Sequence, residues 1–186
     1  MKKRIIVGIS GATGFIYGVR LLELLKQNDV ETHLVISKAG QQTREYETEF
    51  SLAEVKALAD YYYSYQDIGA AISSGSFLTD GMIVTPCSVK TLSEIAYGIT
   101  PNLLSRAADV ILKERRKLVL MIRETPLHSG HLEAMLKASQ MGAIIAPPTP
   151  ALYAKPQTID DIVHHNLARV LDLFDIHLES VQRWGN

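Results

Sequence analysis

The stretch VGISGATGFIYGVRLL, Val7 to Leu22, decides the fold. It closes an apolar, β-branched run, turns through glycine, serine and threonine, and opens onto leucines spaced for a helix. Strand, tight turn and helix in that order form the first half of a βαβ unit. The glycines fall at positions 8, 11 and 14, a G-x-x-G-x-x-G spacing. That differs from the G-x-G-x-x-G dinucleotide fingerprint, and the G-K-[ST] ending of a P-loop is missing as well.

Working outward, the same alternation repeats. RIIVGI, ETHLVIS, GMIVT, KLVLMI and GAIIAP read as strands. Leu21, Leu22, Leu24 and Leu25 mark one helix; Leu52, Val55 and Leu58 mark another. Leu132, Met135 and Leu136 mark a third, and Val163, Leu167, Val170, Leu171 and Phe174 give a long closing stripe. Strands alternating with helices predict an α/β fold: a single-domain, Rossmann-like (flavodoxin-like) doubly wound parallel sheet over residues 1–186. Two segments lie outside regular elements. DIGAAISSGSFLTDG (67–81) is small and polar, as a loop that lets a ligand approach backbone would be. PPTPALYAKPQ (147–157), with four of the seven prolines, reads as an extended arm before a C-terminal helix and tail, 158–186. Such an arm shapes a pocket, packs on a neighbouring subunit, or is plain surface loop.

Composition narrows the function classes. A net charge of −1 gives no electrostatic reason to expect nucleic acid or an anionic membrane. One cysteine, Cys87, cannot form an internal disulfide, which points to a reducing cytoplasm. The basic lead MKKR is followed by an apolar run that breaks at Gly8 and Ser10, too short for a signal peptide. No apolar run approaches the roughly 18 residues of a membrane-spanning helix.

In open α/β sheets ligands gather at the carboxyl ends of the strands, so the residues after each strand are the candidates. They are Ser10, Gly11, Ala12 and Thr13; Ser37 and Lys38; Ser88, Lys90 and Thr91; Arg123 and Glu124; and, beyond the last strand, Tyr153. Hydroxyls, helix-start amides and cations describe an anion site, and their convergence favours a phosphate-bearing cofactor. Each serine or threonine taken alone is most often a helix N-cap. On the predicted helix SRAADVILKERRK, Arg106 and Lys113 share a stripe with Asp109 and Val110. Spacing alone makes them surface charges before ligands. Cys87 is either a thiol activated at a helix start or a small buried hydrophobe, the plainer reading. His128 with His131, and His164 with His165, match no zinc spacing. Asp160 and Asp161 after Thr158 form a capping pattern. No G-x-S-x-G elbow is present.

Taken together, GISGATG, ISSGSF, PCSVKTL, RAADVILKERRKLVL, RETPLH, HLEAM, PPTPALY and the closing RW resemble the flavin prenyltransferase family, the UbiX type, over nearly the whole chain. The resemblance implies transfer of a dimethylallyl group from dimethylallyl monophosphate to reduced FMN, closing a ring through N5 and C6. The prenylated FMN would serve a UbiD-type decarboxylase. It also implies a metal-independent homododecamer with flavin sites at subunit interfaces. Matched position by position, Gly11, Ala12, Thr13, Ser37, Ser88, Val89, Lys90, Thr91 and Arg123 would hold FMN. Tyr153 and Arg169, with Arg106 and Lys113, would hold the dimethylallyl phosphate. Thr13, Glu47, Lys113 and Glu124 would take catalytic parts. Thr13 stands where many members carry serine, and Leu152 where many carry an aromatic residue. Rival readings are an FMN-dependent decarboxylase and a flavin-binding carrier; the cations beyond those FMN needs argue against the carrier.

Overall fold

The structure, a computed structural model, describes residues 2–179 and 181–185. Six parallel strands form one sheet: β1 (Arg4–Ile9), β2 (Glu31–Ile36), β3 (Tyr61–Tyr63), β4 (Gly81–Cys87), β5 (Lys117–Ile122) and β6 (Ala143–Ile145). Their order is β3-β2-β1-β4-β5-β6, the Rossmann order, with its switch point between β1 and β4. Among the described residues six α-helices lie between them, α1 (Phe15–Gln27), α2 (Lys38–Glu47), α3 (Leu52–Ala57), α4 (Val89–Tyr97), α5 (Leu103–Lys113) and α6 (Ser129–Gln140), and α7 (Ile159–Asp172) follows the last strand.

Side chains alternate across the sheet, and the two faces bury separate clusters. Ile5, Val7 and Ile9 face α1 and α7, whose Leu22, Leu25, Leu167 and Leu171 are fully buried. Ile6, Met82 and Val84 face α4, α5 and α6 through Leu92, Leu104 and Ala138. The closing stripe is thus core, as its spacing predicts. The stripe on α6 is core only in part: Met135 packs half-buried against the cluster, whereas Leu132 and Leu136 are exposed, and Ala134 and Ala138 make the rest of the contact. Leucines mark that helix without marking its buried face.

The sixth strand, β3, has no counterpart among the predicted runs. It is a three-residue edge strand paired on one side only, so it needs no apolar run. Segment 67–81 is a loop broken by one 3-10 turn at Ala71–Ser73. Ala70 and Ile72 are buried against the α5 layer, and Arg116 fastens the strap through the carbonyls of Phe77 (2.8 Å) and Gly75 (2.7 Å). It is the return path from β3 to β4, anchored at Ala70 and Ile72, with most of its small residues exposed or half-buried. Within the arm, a single 3-10 turn at Leu152–Ala154 interrupts extended chain.

α7 ends at the starting edge of the sheet. Its last carbonyls, Leu173 and Phe174, accept from the ammonium groups of Lys117 and Lys3, which satisfies orphan acceptors with cations at the negative helix end. No helix among the described residues is long and apolar enough to cross a membrane.

Candidate functional site

The glycine turn after β1 is laced to its neighbours before any ligand is considered. Buried Ser10 donates its hydroxyl to the Pro86 carbonyl (2.9 Å) and accepts the Ser88 amide (2.7 Å). The Ser37 amide donates to the Ile9 carbonyl at 2.9 Å. The ends of β1, β2 and β4 are therefore fixed relative to one another. A Cβ at Gly11 would lie 2.3 Å from Cβ of Ala39, so the turn sits directly on the start of α2. Gly14, at φ 98°, caps α1 in a left-handed conformation.

Beside this turn lies a cleft of about 360 Å³ bordered by Gly11, Ser37, Ser88, Lys90 and Thr91. Three helices open onto it. Ser37 caps α2 by accepting the Gly40 amide (3.0 Å), Ser88 caps α4 by accepting that of Thr91 (3.2 Å), and Asn102 caps α5 by accepting that of Ser105 (3.0 Å). The plain capping reading of both serines holds, and both still border the cleft, because a cap stands where a helix presents its free amides. Ser37 accepts through oxygen and keeps its hydroxyl hydrogen for a ligand. Three positive helix ends and the exposed ammonium of Lys90 give the cleft a rim of the kind that favours an anion. Its inner wall is buried Glu94, which accepts from Asn102 (3.0 Å) and lies 3.6 Å from Lys90. Nothing in the spacing of Glu94 or Asn102 announced them.

Thr13 and Glu47, 34 residues apart, meet. The Thr13 hydroxyl donates to one carboxylate oxygen, and the other accepts the amides of Gly14 (2.8 Å) and Phe15 (2.9 Å). Glu47 thus caps α1 from a distance, supplying the side chain that Gly14 lacks. Val89 is the first residue of α4. Arg123 follows β5 at the same sheet edge, its amide on the Cys87 carbonyl at 3.0 Å, and half-buried Glu124 accepts the Thr125 amide at 3.0 Å. Cys87 is fully buried, and burial pushes its thiol up, so it is the small hydrophobe and no nucleophile.

The remaining predicted residues lie elsewhere. Tyr153, in the arm, and Arg169, in the last turn of α7, border a second cavity of about 280 Å³ with His165, Arg183 and Trp184. The Tyr153 hydroxyl is 3.2 Å from His165 Nε2, and its ring meets Trp184 edge-on at 5.1 Å. Asp172 accepts from Arg169 at 2.6 Å and from both terminal nitrogens of Arg183 at 2.7 and 2.8 Å; His177 Nδ1 lies 2.8 Å from it. The Arg183 fork, more than any other neighbour, holds the Asp172 carboxyl well below the usual carboxylate range. Arg106 and Lys113 are on α5, across the sheet from α7. Arg106 bonds Asp109 at 2.8 Å, and Lys113 pairs with Glu114. One chain does not bring these two cations to Tyr153 and Arg169.

Comparison with known proteins bears on this geometry. The flavoprotein family model matches residues 1–171. The flavin prenyltransferase UbiX of Salmonella typhimurium is 61% identical over 98% of this chain and 98% of its own. The crystal structure of AnUbiX (PadA1) in complex with FMN and dimethylallyl pyrophosphate superposes with a TM-score of 0.98 at 48% identity, covering 100% of this chain and 99% of that one. The dodecameric FMN-dependent UbiX-like decarboxylase of Escherichia coli O157:H7 gives a TM-score of 0.96 at 54% identity, over 98% and 100%.

Proposed function

The chain belongs to the flavoprotein family, among its UbiX-type flavin prenyltransferases, and from that membership we propose its reaction and the division of labour among its residues. It transfers the dimethylallyl group of dimethylallyl monophosphate to reduced FMN, at N5 and C6, and releases phosphate. One observation carries the reading beyond flavin binding: besides the capped cleft, the chain builds a separate cavity walled by two arginines and two aromatic rings. A carrier of FMN has no use for the second.

FMN takes the carboxyl-edge cleft. Gly11, Ser37, Ser88, Lys90 and Thr91, which border the cleft, would contact FMN, and Ala12, Thr13, Val89 and Arg123, on the adjoining turns and strand end, would complete its contacts. The fit rests on three helix N-termini turned to one space, with the Gly11 turn held against the start of α2 beside it. Tyr153 and Arg169 bind the allylic phosphate, together with Arg106 and Lys113. As the allylic C–O bond breaks, its electron pair leaves on the phosphate, where arginine and lysine stabilise the charge without a metal. Glu124 supplies a proton to that leaving group. Thr13 and Glu47, already hydrogen-bonded, move protons beside N5 while the ring closes.

Arg169 and Lys113 sit on opposite faces of one sheet, so a site that uses both is completed between copies of the chain. A homo-oligomer follows, a dodecamer by likeness to the Escherichia coli protein. The prenylated flavin passes to a UbiD-type decarboxylase in the cytoplasm.

The test is anaerobic incubation of the protein with reduced FMN and dimethylallyl monophosphate, followed by mass spectrometry of the released flavin. The expected product is heavier by one prenyl unit. Unmodified flavin from FMN-loaded protein, with the pyrophosphate donor also tried, refutes the transferase reading.

A further inference from the structure

We propose that Arg183, on the tail beyond α7, is a second binding residue for the allylic phosphate, and that Asp172 is the positioning residue that keeps it beside Arg169. The inference rests on the prenyltransferase reading and adds to it. Two guanidinium groups repel each other, and neither side chain is deeply buried: 62% of Arg169 and 34% of Arg183 are exposed. What holds them together is a carboxylate that is only 13% exposed. Arg183 grips it with both terminal nitrogens, at 2.7 and 2.8 Å, and Arg169 with Nη1 alone, at 2.6 Å. This is the bidentate geometry that fixes a guanidinium in orientation as well as in place. His177 Nδ1, 2.8 Å from Oδ1, completes the carboxylate's partners.

The charge balance separates this cluster from an ordinary structural tie. One arginine on one aspartate is neutral; two arginines on one aspartate leave a full positive charge. The Nε and Nη2 edge of Arg169 and the Nε of Arg183 are not used by Asp172. The same cavity is walled by Tyr153 and Trp184, whose rings meet at 5.1 Å. Surplus cation beside an aromatic wall suits an organic monophosphate with a short unsaturated tail. Tail and arm are joined by that ring contact, so the residue that orients Arg183 also seats Trp184.

The experiment uses full-length FMN-loaded protein. It measures binding of dimethylallyl monophosphate and of inorganic phosphate by calorimetry, alongside steady-state kinetics. Arg183→Ala is expected to weaken both phosphates about tenfold, the loss of one charge-assisted contact, with FMN affinity unchanged. Asp172→Asn is expected to raise KM for dimethylallyl monophosphate about tenfold with kcat within about twofold, and Asp172→Glu to recover most of that loss. Binding that is lost in Arg169→Ala but untouched in Arg183→Ala overturns the inference and leaves the function standing. Phosphate that binds through Arg183 in a protein unable to prenylate FMN overturns the function and leaves the phosphate site. An Asp172→Asn protein that loses melting temperature and FMN affinity, with KM unmoved, makes Asp172 structural and ends its positioning role.

Discussion

The cleft at the carboxyl edge and the cluster at the end of α7 both collect positive charge, by opposite means. The cleft is made of main chain: strand ends stitched by Ser10, a turn pressed on Ala39, and three capped helices whose amides need no ionised side chain. The cluster is made of side chains: two arginines and a histidine gathered on Asp172, with Trp184 against Tyr153. The first is held by packing and yields only to a change of shape. The second is held by charge and yields to a single atom or a proton. On the proposed reading the rigid cleft would hold FMN and the adjustable cluster the allylic phosphate, a division that suits a protein that must release its product.

The largest effect separating the two is expected from Gly11→Val. Its Cβ would already stand 2.3 Å from that of Ala39, so turn and helix must part, which costs roughly 1–3 kcal/mol or more. FMN binding, followed by fluorescence quenching, should be lost while the Tyr153–Trp184 contact survives. Arg169→Ala is the converse: KM for dimethylallyl monophosphate should rise about tenfold to a hundredfold for a lost charged contact, with FMN affinity unmoved. If FMN affinity falls in step, the two regions are not independent. Ser37→Ala should be milder. Loss of the cap costs about 1 kcal/mol, read as a small drop in melting temperature and a severalfold weaker FMN.

Acid should break the contrast most gently. Asp172 has its folded pKa depressed, so its contribution is present above the ordinary carboxylate range and is lost as pH falls below about 4. The single tryptophan, Trp184, reports the event. Its emission should shift as the tail leaves Tyr153, reversibly and before the sheet unfolds. An emission unchanged until global unfolding would place the tail among the packed regions.

How far the chain could be read depends on which kind of region is asked about. Five strands and the closing helix are visible because they bury apolar runs of a fixed period; β3 is hidden because Tyr61–Tyr63 is short and lies at an edge. Ser37 and Ser88 are visible because a serine between strand and helix has one geometric place to be. Leu132 and Leu136 mislead because a helix can carry leucines on its outer face. The meeting of Asp172 with Arg183 leaves no periodic trace. The two are 11 residues apart, brought together by an irregular tail. Glu47 is similar: its partners Thr13 and Gly14 lie on another turn, and only the folded sheet edge makes it a cap.

The grip of Lys3 and Lys117 on the last carbonyls of α7 has a consequence for synthesis. β1 is an inner strand of the sheet, and the face presented by Ile5, Val7 and Ile9 is covered in part by α1, which follows it directly, and in part by Val163, Leu167 and Leu171, made far later. The cover of that face is therefore complete only once α7 has left the ribosome and docked.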